Sequence, residues 1–269
     1  MRLRGKSFKG KWTLGAWAEG HILSALNSTA SLRALRYGKS EAIEPGAAGR
    51  GDASPSTVGK RPDFLLFSKD RFGRLRRIYG SAVLKRLPHL PDEAIRPIVR
   101  AAILGIEAEA SIWEGRKMPD YGRSWDVGNG KRKPVRDLKS WIAPTLIVKD
   151  EDLQPLRAWT RAFSKPIYIV HLFLDLAFVL SFARFAEFIR NRTAVAVNQD
   201  FGDSTKRIYK VFYGLANEFG QFTKRGTVRA FKYQTPGGKF KSDLYFAGGR
   251  LKISTRVVQE WSSLLRGRR

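Results

Sequence analysis

Two hydrophobic periods run along this chain. Leu14, Trp17, Ala18, Ile22, Ala25 and Leu26 recur three or four residues apart, and this spacing predicts a helix within residues 14–35. Asp63 opens an apolar run to Phe67 that reads as a buried strand. Pro91-Asp-Glu-Ala starts a second helix, with Ile95, Ile98, Val99, Ala102 and Ile103 as its buried face. The period then falls to two. Glu107, Glu109 and Ser111 alternate with Ile106, Ala108, Ala110 and Ile112, so a strand carries both carboxylates on one face.

Further on, Trp113 to Met118 reads as a turn or short helix, and Thr145 to Val148 as a buried strand. Asp150-Glu-Asp152 opens a helix with the face Leu153, Leu156, Trp159 and Phe163, and its acids read as dipole partners without a catalytic role. Ile167 to Ile189 imitates a membrane span, but His171, Asp175, Arg184 and Glu187 interrupt it. A core strand over Ile167 to Asp175 and a Phe-rich core element fit better. The last third predicts strands at 193–199, 207–213, 227–233 and 239–246, then a helix from Thr255 to Leu265 with Val258, Trp261 and Leu265 inward.

Loops are marked by composition. Residues 44–57 are rich in Pro, Gly, Ala and Ser and read as a mobile loop or insertion; residues 122–134 are polar and Gly-rich, a loop. Lys69 to Arg77 carries five cations and reads as a solvated turn or hairpin.

Charge changes the picture. Lys and Arg number 50 against 24 Asp and Glu, a net charge of +26 over 269 residues. A chain this basic repels itself, and a polyanion relieves that, so nucleic acid is the leading partner. The absence of cysteine excludes disulfides, thiolate catalysis and zinc–thiolate sites, and fits a reducing cytoplasm. No cleavable signal peptide is visible. His21, His89 and His171 show no metal-ligand spacing.

The candidate chemistry lies in the acids. Glu107 and Glu109, about 7 Å apart on a strand, repel each other and favour a cation. Oxygen ligands of this kind suit Mg²⁺, which takes one or two carboxylates, waters and phosphate oxygens. With Asp63 they give the layout of a metal-dependent phosphodiesterase. A solvated strand face and a capping Asp63 remain the plainer alternative. Glu19 reads as an outer carboxylate of that site or as a solvated helix residue. Arg71 and Arg74, beside Asp63 in sequence, are candidate phosphate contacts. So are Arg229, Lys232, Lys239 and Lys241, which interleave with aromatic residues in a hairpin over 227–241.

Trp17-Ala-Glu19, Tyr37-Gly-Lys-Ser40, Gly59-Lys-Arg-Pro-Asp63 and Glu107-Ala-Glu-Ala-Ser-Ile-Trp113 with Lys117-Met118 occur in that order. Val148-Lys-Asp-Glu-Asp-Leu153 and Pro166 to Asp175 continue the series. Together, over roughly residues 12–190, they resemble the AccI-like type II restriction endonucleases of the PD-(D/E)XK superfamily. The resemblance implies an α/β (α+β) fold: a restriction-endonuclease-like core with a mixed central β-sheet flanked by helices. That core spans 1–192, with a β-rich, DNA-contacting C-terminal part over 193–269. It further implies Mg²⁺, a homodimer on double-stranded DNA, and no membrane or small-molecule cofactor. Asp63 would bridge metal and Glu107 would be the second ligand. The family's lysine position holds Glu109, so either Glu109 or Lys117 fills that role. A non-catalytic nucleic-acid-binding protein, and a repair or junction nuclease on the same core, remain open.

Overall fold

The computed structural model describes residues 8–38, 58–123, 140–200, 205–234 and 240–264. Among them, six α-helices flank a seven-stranded mixed sheet, with a second sheet of three strands beside it. Helix α1 spans Phe8–Asn27, followed by β1 (Leu32–Arg36), β2 (Phe64–Ser68), α2 (Lys69–Lys85), α3 (Asp92–Ala101) and β3 (Leu104–Ala110). Then come β4 (Thr145–Lys149), α4 (Asp150–Phe163), β5 (Ile167–Leu172), β6 (Leu176–Ser181) and α5 (Phe182–Arg190). The chain closes with β7 (Val195–Asp200), β8 (Thr205–Phe212), β9 (Asn217–Gln234), β10 (Phe240–Ile253) and α6 (Thr255–Ser263).

The large sheet has the order β1-β2-β3-β5-β6-β9-β10, and the small one β4-β8-β7. Only the central pair, β3 with β5, is parallel; its crossover carries β4 and α4 over one face of the sheet. Pleating therefore decides what each face does. Leu65, Phe67, Ile167 and Ile169 point toward α3, α4 and the small sheet, while Phe64, Leu66, Ile106 and Val170 point toward α1 and α6. Glu107 and Glu109 share the first of these faces with Ile169 and His171, their partners on β5. The prediction of both carboxylates on one strand face holds.

Four sequence expectations change. The helix expected within residues 14–35 stops at Asn27, and Leu32–Arg36 is a strand. Asn27 itself makes the reversal: its side chain accepts from Ala34 N at 2.8 Å and donates to Ala34 O at 3.3 Å. Ser28 and Thr29 donate their hydroxyls to the terminal carbonyls of Ala25 and Leu26.

The basic stretch Lys69 to Arg77 is no turn or hairpin but the first half of α2. Ser68 caps that helix by accepting from Arg71 N at 3.2 Å, and Leu75 and Leu84 are its buried residues. So few inward positions are hard to see among the cations. In α6 it is Val257, with Trp261, that is fully buried, while Val258 is partly so.

The strand expected over Ile167 to Asp175 ends at Leu172, because the chain turns at 173–175 to pair back as β6 before α5, and no helix among the described residues is long and apolar enough to cross a membrane. The segment over 39–57 and most of the 122–134 loop lie outside the described residues.

The C-terminal hairpin is tied to the N-terminal helix. Trp17 donates its indole N–H to Gly248 O at 3.0 Å and stacks on Phe222, centroids 5.4 Å apart. A Cβ on Gly226 would fall 2.6 Å from the Trp17 ring, so only glycine lets α1 lie this close to β9. Strand β6 pairs with β9 only from Asn217 to Gln221, and β9 then runs on with β10 as a two-stranded ribbon.

Candidate active site

The acids gather at the mouth of the β2–β3 ladder. Phe64 pairs with Ile106, so the preceding residue, Asp63, stands abreast of Glu107. Asp63 Oδ2 accepts from Ala108 N at 2.7 Å, and its carbonyl accepts from the amides of Tyr37 (2.8 Å) and Gly38 (3.2 Å). Gly38 has no room for a side chain: a Cβ would sit 3.0 Å from Asp63 Cα and Pro62 O. Gly105 on β3 has none either, since its Cβ would fall 2.6 Å from Pro62 Cγ. The sequence blocks around Tyr37 and Asp63 are thus one packed unit.

Arg61 locks that unit to α3. Its guanidinium donates to Asp92 Oδ1 through Nε (2.9 Å) and Nη2 (2.6 Å), and to Leu90 O at 2.8 Å. It also lies 5.3 Å from the Tyr37 ring centroid, and the Tyr37 hydroxyl accepts from the Trp159 indole on α4 at 3.0 Å. Both Arg61 and Asp92 are buried.

Glu107 is buried, 4% exposed, and only one of its oxygens is partnered. Oε1 accepts from the Lys60 ammonium, whereas Oε2 is buried with no hydrogen-bond partner among the described residues. The same ammonium lies 3.1 Å from Asp152 Oδ1 in the first turn of α4. Burial, then the neighbouring Glu107 charge, holds the Asp63 carboxyl well above the usual range, and Glu19 adds to this. Burial also raises Glu107 against the pull of Lys60. It pushes Glu109 up to about 7, opposed by Lys149 and assisted by Glu107. Beside Glu109 across the ladder, His171 is buried with both ring nitrogens unpartnered among the described residues, and desolvation drops it to about 3.

Among the sequence candidates, Asp63, Glu107 and Glu109 come together. Lys117 does not join them: it is exposed at the η-turn after β3 and pairs with Glu114 at 2.9 Å. Glu19 pairs with Arg36, on the α1 side of the sheet. Arg71 is half-buried and donates to Ala101 O at 3.5 Å, while Arg74 is exposed with Arg33, Lys69, Arg76 and Arg77 around a basic depression of about 630 Å³. Arg229 is exposed on β9 opposite Tyr245. Lys232 and Lys241 lie on β9 and β10 where side chains are not described, and Lys239 lies outside the described residues.

From sequence, Lys60 has no role of its own and Asp152 only that of a dipole partner. The signals were present: a lysine three residues before Asp63, and an acid one turn into a helix that follows Lys149.

No three Asp, Glu or His side chains converge as a ready-made metal cage among the described residues. A fit to Mg²⁺ does not need one, because that ion keeps waters and takes one or two carboxylates beside substrate phosphate. The unpartnered Glu107 oxygen abreast of Asp63 supplies that kind of donor set.

A basic chain with a half-closed acid cluster on its central sheet has the makings of a phosphodiester-cleaving enzyme, a nuclease. Residues 5–119 match the model of the AccI restriction endonuclease family. The match takes in Asp63, Glu107, Glu109 and Lys117, and supports a restriction endonuclease, an enzyme that acts on DNA. It stops short of Lys149, Asp152 and His171, and covers less than half of the chain. Neither a curated protein nor a solved structure matches.

Proposed function

We propose that the chain is a type II restriction endonuclease of the PD-(D/E)XK kind, hydrolysing phosphodiesters in double-stranded DNA at a short specific sequence with Mg²⁺. The observation that carries the reading is the buried, unpartnered Oε2 of Glu107 standing abreast of Asp63. A buried carboxylate oxygen without a donor is costly, and a divalent cation removes that cost.

Asp63 and Glu107 hold the metal, and Glu109 stands one pleat further along. When bound, the metal polarises the scissile phosphate and lowers the pKa of its water. On this reading Glu109, whose carboxyl burial raises to about 7, would accept the proton of the attacking water as the P–O bond to the leaving oxygen breaks, and a solvent water would supply a proton to that oxygen. The Ala108 amide and the Tyr37–Gly38 amides keep Asp63 fixed, so the acids do not spread under their own repulsion.

The core through residue 192 carries this chemistry, and the ribbon and other parts of 193–269 contact DNA. Arg74 and Arg229 contact backbone phosphates from two sides of the sheet. A homodimer, as the resemblance implies, would cut both strands of one site, and the absence of cysteine fits a reducing cytoplasm.

Plasmid DNA incubated with and without Mg²⁺, beside Glu107→Ala, tests the reading. Discrete bands that need both the metal and Glu107 are expected, with cleavage lost on the order of a thousandfold in the variant and DNA retention kept. A metal- and Glu107-dependent smear would remove site specificity. Intact plasmid retarded on a gel would replace the enzyme with a binding protein.

A further inference from the structure

One ammonium serves two carboxylates from separate elements. Lys60 bonds Glu107 on β3 and lies 3.1 Å from Asp152 on α4. Its neighbours on both sides are fixed. Gly59 adopts φ +102 with space for no Cβ, since one would fall 2.7 Å from Pro155 O, and Arg61 is clamped to Asp92. The Lys60 side chain between them is one-third exposed (33%), against 6% for Glu107 and 14% for Asp152. The backbone is held and the ammonium end is reachable from solvent. Lysine suits such a post because its charge is a compact point on a flexible stem, without the planar fork that fixes Arg61.

We propose that Lys60 is a resident counter-cation, which keeps the cation position beside Glu107 filled in the metal-free protein and moves wholly onto Asp152 when a divalent cation enters. The inference rests on the acid cluster being a metal site, and it adds that Lys60 and Asp152 together set the metal affinity.

Two cations cannot share one carboxylate pair cheaply at this separation, because like charges a few ångströms apart in a half-buried site repel strongly. In the metal-free state the ammonium offsets the repulsion between Glu107 and Asp63. In the loaded state Asp152 gives the displaced ammonium a second seat, so it is not left buried and unpaired. Lys60 thus works against the metal, and Asp152 lowers the cost of displacing Lys60.

The test is a Mn²⁺ titration of the metal-free full chain without DNA, following free Mn²⁺ by electron paramagnetic resonance. Lys60→Met should bind Mn²⁺ about tenfold more tightly than the unsubstituted chain. Lys60→Arg, which keeps the charge, should not. Lys85→Met, the same charge loss on exposed α2, should leave affinity unchanged. Asp152→Asn should weaken binding several-fold when Lys60 is present and hardly at all in the Lys60→Met background, because its effect runs through the lysine.

Unchanged or weaker binding in Lys60→Met would overturn the proposal, as would an equal loss from Asp152→Asn in both backgrounds. No Mn²⁺ binding by any variant would overturn it too. Cleavage assays on the same proteins separate this from the nuclease reading. Metal-dependent cutting with no Lys60 effect on Mn²⁺ leaves the enzyme and removes the counter-cation. The expected affinity pattern with no cutting leaves the counter-cation and removes the nuclease.

Discussion

Lys60 and Arg61 are consecutive residues, and each ends on a buried carboxylate, yet the two ion pairs are built differently. The Arg61 pair is saturated. Its guanidinium spends two donors on Asp92 and others on the carbonyls of Leu90, Leu87 and Pro88, with the Tyr37 ring against it. The Lys60 pair is open: Glu107 keeps one buried oxygen without a donor among the described residues, and the ammonium is shared with Asp152. A buried charge that is fully hydrogen-bonded holds structure, whereas one left short of a donor marks a place where something else binds. Neighbouring positions can therefore divide scaffold and chemistry between them.

The largest effect comes from breaking the closed pair. Asp92→Ala leaves Arg61 buried without its carboxylate and should cost about 3–5 kcal/mol. In a chain of this length that lowers Tm by roughly 6–20 °C, at about 2–4 °C per kcal/mol. Divalent metal should not restore it, because no metal position lies at Asp92. Thermal unfolding with a chelator and with excess Mg²⁺ checks both statements. Recovery by metal would show that the two pairs act as one site, and the comparison would collapse.

A smaller effect sharpens the open side. The Glu109 carboxyl is raised in the folded protein from an ordinary 4.5 to about 7. A raised acid binds its proton more tightly when folded, so its contribution to stability is full below pH 4.5 and is lost as pH rises through about 7. Glu109→Gln stays neutral at every pH. Without metal, the variant should match the unsubstituted chain near pH 4 and be more stable by a few degrees above pH 7. Mg²⁺ should close that gap by relieving the ionised acids. Tm measured from pH 4 to pH 8.5 with and without the ion gives the answer; a variant less stable than the unsubstituted chain above pH 7 would mean Glu109 is stabilised by its charge.

The difference between the two pairs also explains what the sequence could reveal. Alternation over Ile106 to Ile112 exposes the acid face of β3 directly, because a strand's period of two is local. The helix at Asp150 is equally plain from Leu153, Leu156, Trp159 and Phe163, all of them buried. Asp152, though, looks like an ordinary dipole partner, because its meaning depends on Lys60, 92 residues earlier and brought close only by the crossover from β3 to β5. Lys117 has the opposite history. Near Glu109 in sequence, it is turned away by the chain reversal at Gly115, whose amide and that of Arg116 are held by the buried Asp175 at 2.6 and 3.0 Å. Helix α2 was hidden for another reason: it buries only Leu75 and Leu84 beneath a cationic surface.

That cationic surface gives the smallest effect and carries the comparison to the far end of β2. At the Asp63 end, acids crowd around the buried Glu107; five residues on, beyond Ser68, cations predominate, with half-buried Arg33 and exposed Lys69, Arg74, Arg76 and Arg77 around a single depression. Asp70 is the sole acid lining it. Exposed cations of this kind act through summed field and counterion release rather than through any one bond. Arg74→Ala should therefore weaken DNA binding only a few-fold, uniformly across sequences, and reduce the slope of log K against log salt by about 1. Filter binding of a specific and a random duplex over a range of salt reads both numbers. Loss confined to one sequence would make Arg74 a reader of bases, and no loss at all would leave the depression outside the DNA path. Either result would alter how the two ends of β2 divide the work, because in the proposed nuclease the acid end would cut only where the basic end has placed a phosphate within reach.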